Sequence, residues 1–274
     1  MMTFAARRWR GVMISAVVAA VLILILTIQS RSLRQTAFTS GFILIAAVLF
    51  LAAYNLRKKL TYPPMLASST WLQLHIYVGW LAVFLFLMHT SWQWPTGLFE
   101  TLLWLSFVFV AGSGVIGLIL SRSVPPRLAV RREEVLFERI PIFRRQLRDQ
   151  AEQLIIRSVE LSDQTTLADF YRQCIGDYFF RPRNTWRHLY GTTRPLKQML
   201  HDLNSLHRYL NKEELELANE LADLIVAKDD LDYQHTMQGL LKAWFFVHIP
   251  MTYVLIVLAT VHLVLVLAFR GGLH

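Results

Sequence analysis

With 274 residues, 54% of them hydrophobic and 17% charged, the chain lies outside the composition of a soluble globular domain and reads as an all-α integral membrane protein. Its net charge of +9 does not point to nucleic acid. Nineteen basic and eighteen acidic residues nearly cancel between Arg122 and Lys242, and the excess sits in nine basic residues beside apolar segments, where Glu100 is the sole acid. The single cysteine, Cys174, excludes internal disulfides, thiolate-held iron–sulfur clusters and a CxxCH haem attachment.

A helix needs about 20 mostly apolar residues to cross the hydrocarbon core. Five spans meet that requirement. The first, Gly11–Ile28, follows Arg7, Arg8 and Arg10. Its apolar run is long for a signal peptide, and Thr27-Ile-Gln-Ser-Arg offers no small-x-small cleavage site, so it is expected to be retained. The second is Gln35–Leu56, followed by Arg57-Lys58-Lys59. Leu60–Phe99 is too long for one crossing, and its tail Thr90-Ser-Trp-Gln-Trp-Pro-Thr-Gly reads as a turn flanked by interfacial tryptophans, which narrows the third span to Trp71–His89. Thr101–Ser121 is the fourth and Ala243–Phe269, with a tilt, the fifth.

The basic clusters set the topology through the positive-inside rule. They put the N-terminus and residues 122–242 in the cytoplasm and the C-terminus outside, the expected arrangement for a bacterial inner membrane protein. Arg31 and Arg34 weigh more weakly the other way. The organisation is then 1–121 with four spans, 122–242 as a helical cytoplasmic insertion, and 243–274 with the fifth span and a tail.

Four of the nine histidines fall in spans: His75 and His89 in the third, His248 and His262 in the fifth. Each pair is separated by fourteen positions, two whole heptads, so both members return to one face of a helix in a left-handed bundle. At 1.5 Å per residue they stand roughly 21 Å apart, one near each membrane surface. One crossing intervenes between the third and fifth spans, so these run in the same direction. His75 is then level with His248 on the cytoplasmic side, and His89 with His262 on the outer side.

Two stacked bis-imidazole sites suit low-spin haem iron, and two axial ligands leave no open position on the metal, which favours electron transfer over chemistry there. A lone intramembrane histidine is as readily a polar residue satisfied between helices; four in matched pairs are not. Zinc fits less well, because ligands two heptads apart on one helix cannot share an ion and no carboxylate or thiol in these spans completes a site.

Small residues near the histidines offer room for a macrocycle. Ala82 lies midway between His75 and His89, Gly79 is one turn past His75, and Gly112, Gly114 and Gly117 follow one another on the fourth span; ordinary small-residue packing explains the glycines equally well. Pro250 is expected to bend the fifth span just past His248. For the haem propionates, Arg122, Lys242 and Trp244 are candidates on the cytoplasmic side and Trp92 and Trp94 on the outer side, with interfacial anchoring as the simpler role. Glu100 is either a proton-handling group near the outer haem or an exposed helix-end carboxylate.

Between Arg122 and Lys242, amphipathic helices are expected over 144–160, 166–179, 195–210 and 211–227, the last opened by Asn211 as N-cap, with Pro125-Pro126 marking the exit from the fourth span. No GxGxxG, P-loop or metal-spaced cluster occurs there. The segment reads as a docking domain for an electron-transfer protein or a sister subunit. His188, His201, His207 and His235 are expected in surface or ordinary polar roles, and His274 in a mobile tail.

The His75/His89 and His248/His262 arrangement resembles the two-haem core of the cytochrome b superfamily. Its placement on the third and fifth spans is most similar to the transmembrane domain of ferric reductases and NADPH oxidases. The resemblance covers the spans, about half the chain, and implies two b haems passing electrons from a cytoplasmic donor to an external acceptor. That group has a sixth span and a C-terminal flavin and nicotinamide domain, neither of which is seen here, and nothing in it corresponds to residues 122–242. The functional expectation is transmembrane electron transfer as the cytochrome b subunit of a larger redox complex. Its rivals are a quinol-oxidising or metal-reducing cytochrome, in which quinone is a further partner, and a non-redox membrane scaffold or transporter.

Overall fold

The computed structural model describes residues 36–59, 68–129, 135–161 and 165–269, with Trp9, Met13, Val17, Val18, Ala20 and Val21 as isolated helical positions. Apart from these positions the first span lies outside the described residues, as do Arg7, Arg8, Arg10, Arg31, Arg34 and His274.

Every regular element among the described residues is helical. In chain order they are α1 (Thr36–Lys59), α2 (Ser68–His89), α3 (Leu98–Ala129), a 3-10 turn (Phe137–Arg139), α4 (Ile140–Leu161), α5 (Thr166–Phe170), a π-helical turn (Tyr171–Ile175), α6 (Gly176–Phe180), α7 (Thr185–Leu189), α8 (Arg194–Ser205), a second 3-10 turn (Leu206–Tyr209) and α9 (Lys212–Phe269). Of these, α1, α2, α3 and α9 are long and apolar enough to cross a membrane. The chain divides into two compact units, Met1–Leu118 with Trp244–His274, and Ile119–Ala243.

In the first unit α1 and α2 are antiparallel. Ser40 meets His89, while Phe50 and Tyr54 lie against Trp71 and His75 with ring centres 5.6 and 5.3 Å apart. The chain then reverses through Thr90–Trp92. Ser91 and Trp92 adopt left-handed φ angles of 51° and 61°, and the amides of Thr90, Ser91 and Trp92 bond back to the carbonyls of Phe86, Met88 and Leu87. A left-handed non-glycine residue costs roughly 1–2 kcal/mol, so these bonds must hold the turn.

Helix α3 returns along α2, with Phe107 stacked on Phe86 at 4.0 Å. It is antiparallel to the closing stretch of α9, where Phe99 faces His262, Ser113 faces His248 and Gly117 faces Trp244. Val48, Ala82, Phe86, Phe107 and Leu255 form the buried centre. Large side chains such as Phe42, Trp80, Phe109, Val257 and Val264 are exposed outward, as expected where lipid rather than water is the solvent.

The second unit is a globular helical body. Ala151 and Leu154 of α4, Leu167 of α5, Tyr178 and Phe179 of α6, Leu203 of α8, and Leu217, Leu221 and Ile225 of α9 close its main core. The N-cap expected at Asn211 is a full capping box. Asn211 Oδ1 accepts from the Glu214 amide at 2.8 Å, and the Glu214 carboxylate accepts from the Asn211 amide at 3.0 Å.

Two boundary expectations are corrected. Pro125-Pro126 does not end α3, the helix of the fourth span, which runs to Ala129 because Val124 and Leu128 are buried against Tyr233 and Met237. Nor does the helix beginning at Asn211 end at Ala227. It continues through the acidic stretch Asp229–Asp232, whose Lys228 and Asp232 form an ion pair one helical turn apart, buried to 0% and 1% exposure.

Candidate functional site

The register of α2 and α9 follows from one contact and one shared cluster. The rings of His89 and His262 have centres 6.4 Å apart at an interplanar angle of 88°. Seven residues earlier on each helix, Ala82 and Leu255 share the buried centre. Equal steps along both helices mean that they run parallel, and a further seven residues bring His75 and His248 to one level. Direct ring contact joins the outer pair; among the described residues it does not join the inner one. There His75 lies against Tyr54 at 5.3 Å and His248 stacks on Trp244 at 5.2 Å.

Serines orient two of the imidazoles in the same way. Ser113 Oγ donates to the Val110 carbonyl three residues earlier, at 2.9 Å, and lies 2.7 Å from His248 Nδ1. With the serine proton on the carbonyl, the hydroxyl oxygen is placed to accept from a protonated His248 Nδ1, the tautomer that leaves the Nε2 lone pair free. Ser40 repeats the device, bonding the Ala37 carbonyl at 3.1 Å and His89 Nδ1 at 3.1 Å. That tautomer is the one that ligation through Nε2 requires, and a partner on the second nitrogen is the usual companion of a ligating histidine.

Glycines let neighbouring backbone approach the rings. A Cβ at Gly41 would lie 3.0 Å from His89 Cε1, and one at Gly114 would lie 3.7 Å from His248 Cε1. The sequence reading found Gly114 but neither Gly41 nor the two serines. In an apolar span a Ser-Gly pair reads as small-residue packing, and the histidine partners are 49 and 135 positions away.

The remaining candidates take other places. Gly117 does not border open space, because a Cβ there would fall 1.9 Å from the Trp244 ring, whose Nε1 donates to the Ser113 carbonyl at 2.7 Å. Trp244 thereby braces His248. Ala82 is 2% exposed in the packed centre between the two histidine levels. Gly79 has nothing within 4 Å of its would-be Cβ, and neither has Gly112. Arg122 is exposed, and Lys242 bonds Glu138 and covers the Phe137 ring at 4.1 Å; both belong to the second unit. The hydrogen bond from Lys242 holds the Glu138 carboxyl below the usual carboxylate range.

Glu100 is exposed and accepts from the Thr96 amide and hydroxyl, each at 3.4 Å, at the start of α3. Trp92 and Trp94 are also exposed. Helix α9 continues through Pro250, and the Thr252 hydroxyl donates to the His248 carbonyl at 2.8 Å. Of the histidines expected in surface or ordinary polar roles, His188 is 4% exposed, with Nε2 3.5 Å from Asp229.

The residues present suit a bis-imidazole metal centre. A metal held by two imidazole nitrogens at about 2 Å each sets the ring centres roughly 6 Å apart, which the outer pair meets. Among the described residues no group of three or more His, Cys, Asp or Glu side chains gathers to hold a metal ion. No family model, no curated protein and no solved structure matches the chain.

Proposed function

We propose that this chain is a membrane electron conduit of the cytochrome b type, holding two b haems through His75 with His248 and His89 with His262. The observation that carries the reading is the outer pair at 6.4 Å, together with the serine hydroxyls set against Nδ1 of His89 and His248. Each haem, when bound, supplies a one-electron ferric/ferrous couple. The protein's part is to present Nε2 as ligand, to brace the rings with Ser40, Ser113 and Trp244, and to exclude water from the gap between levels with Ala82, Phe86, Phe107 and Leu255. Bis-histidine ligation with no vacant position keeps the work at electron transfer.

The reading assigns five spans, a cytoplasmic N-terminus, the 122–242 segment as a cytoplasmic insertion, and the His75/His248 site to the inner side, on the strength of the basic clusters. Its partners are then a cytoplasmic and an external electron-transfer protein or sister subunits, with quinone as a small-molecule alternative. The test is a reduced-minus-oxidised spectrum with a haem-to-protein ratio on the purified chain. A ratio of about two is expected; absence of haem after expression with haem supplied would leave the histidines as packing residues.

A further inference from the structure

From Tyr178 to His201 the chain carries Arg181, Arg183, Arg187, Arg194 and Lys197 and no Asp or Glu. All five are exposed. Among the described residues, the ion pair that reaches this set joins Arg183 to Asp177 at 3.8 Å, between exposed side chains, and such pairs neutralise little in water. Between these charges Trp186 and Tyr190 are 73% and 80% exposed, while Phe180, just before Arg181, is 55% exposed with the Arg148 guanidinium 5.2 Å from its ring centre. Large aromatic rings left open beside unneutralised guanidinium groups match a lipid–water interface, where the rings sit at headgroup level and arginine forks onto phosphate.

The local structure turns this strip outward. Within the second unit, α7 buries His188 against Tyr233, ring centres 5.8 Å apart, and packs Leu189 on Val124, Leu128, Tyr233 and Met237. Trp186, Arg187 and Tyr190 take the opposite face. The preceding loop is tied down by the buried Lys228–Asp232 pair: Lys228 Nζ donates to the Arg181 carbonyl at 3.1 Å, and the Arg183 amide donates to Asp232 at 3.0 Å. The residues beneath α7 are close in sequence to the apolar spans. Val124 follows Ser121 by three positions and Met237 precedes Ala243 by six, roughly 10 Å or less of helix.

We propose that Arg181, Arg183, Arg187 and Arg194, with Trp186 and Tyr190, form a docking surface for the anionic headgroups of the membrane into which the apolar helices insert. It binds phosphate-bearing lipids of net negative charge and holds the helical unit against the bilayer.

The test uses the full chain in nanodiscs of phosphatidylcholine, alone or with about one-third phosphatidylglycerol. A fluorophore is placed at Thr185→Cys in a Cys174→Ser background, since Cys174 is exposed and would also label. Headgroup-nitroxide lipid should quench it at least about threefold more in the anionic discs, and about 0.5 M salt should abolish the difference. Replacing the four arginines by glutamine should do the same while helical circular dichroism is unchanged. Equal quenching in both discs, or quenching indifferent to the arginine replacements, overturns the proposal. A response seen only on adding an acidic protein would assign the strip to a protein partner and overturn it equally.

Discussion

Ser113 Oγ lies 2.7 Å from His248 Nδ1 and 2.9 Å from the Val110 carbonyl, so one hydroxyl can take the imidazole hydrogen at Nδ1 while giving its own proton to the backbone. Ser40 stands to His89 in the same relation. Because the acceptor on Nδ1 makes Nε2 a better donor to ferric iron, Ser113→Ala should raise the midpoint potential of one haem and leave the other unchanged, with Ser40→Ala giving the reciprocal result. Haem affinity at the altered site should fall about 10- to 100-fold. A potentiometric titration of each variant reads both effects, and identical shifts of both haems would separate the serines from the ligands.

Replacing single histidines should remove haems one at a time. His89→Ala or His262→Ala should lower the haem-to-protein ratio from about two to about one, and His75→Ala or His248→Ala should remove the other haem. Added imidazole should restore part of the lost absorbance by filling the vacated position. Loss of both haems from every variant would contradict two independent sites.

Gly117 and Gly79 should respond in opposite ways to alanine. At Gly117 the added Cβ meets the Trp244 ring at 1.9 Å, and forcing that ring off Ser113 and His248 should cost about 1–3 kcal/mol, seen as a lower Tm in detergent. At Gly79 nothing lies within 4 Å, so the helical preference of alanine should be neutral or stabilising by up to about 1 kcal/mol.

In the second unit, Lys228→Met should destabilise by about 3–5 kcal/mol, because it strands the Asp232 carboxylate at 1% exposure. The double variant Lys228→Met with Asp232→Leu should recover much of that loss. Tryptic cleavage after Arg183 should speed up in both, since each removes bonds that tie the 181–184 backbone to α9. Chemical denaturation and timed proteolysis check the two parts separately.

The long apolar helices were legible because absence of charge over about 20 residues is a strong constraint, and the shared face of His89 and Ala82 with His262 and Leu255 because steps of seven return to one side of a helix. What stayed hidden depends on contacts between distant parts of the chain. Ser40 and Ser113 look like any small residue in an apolar run. The charges of the Asp229–Asp232 stretch suggest a solvated surface until Lys228 and Asp232 are seen one helical turn apart and buried. Pro125-Pro126 reads as a stop signal, yet packing of Val124 and Leu128 outweighs the lost amide donors. His188 lies on a five-residue helix, too short for a periodicity that would show which face is inward.

The seven-residue steps from His75 to Ala82 to His89, matched by His248, Leu255 and His262, give the two levels separate tolerances to inserted residues. One extra residue between Leu255 and His262 would turn the latter by about 100° and disable the outer level while sparing the inner. A whole inserted heptad would keep the face but lift His262 about 10 Å past its partner, unless α2 gained the same length. A thicker bilayer is therefore reached by paired heptad insertions in both helices, and a mismatch between the two would leave the proposed conduit with one working end.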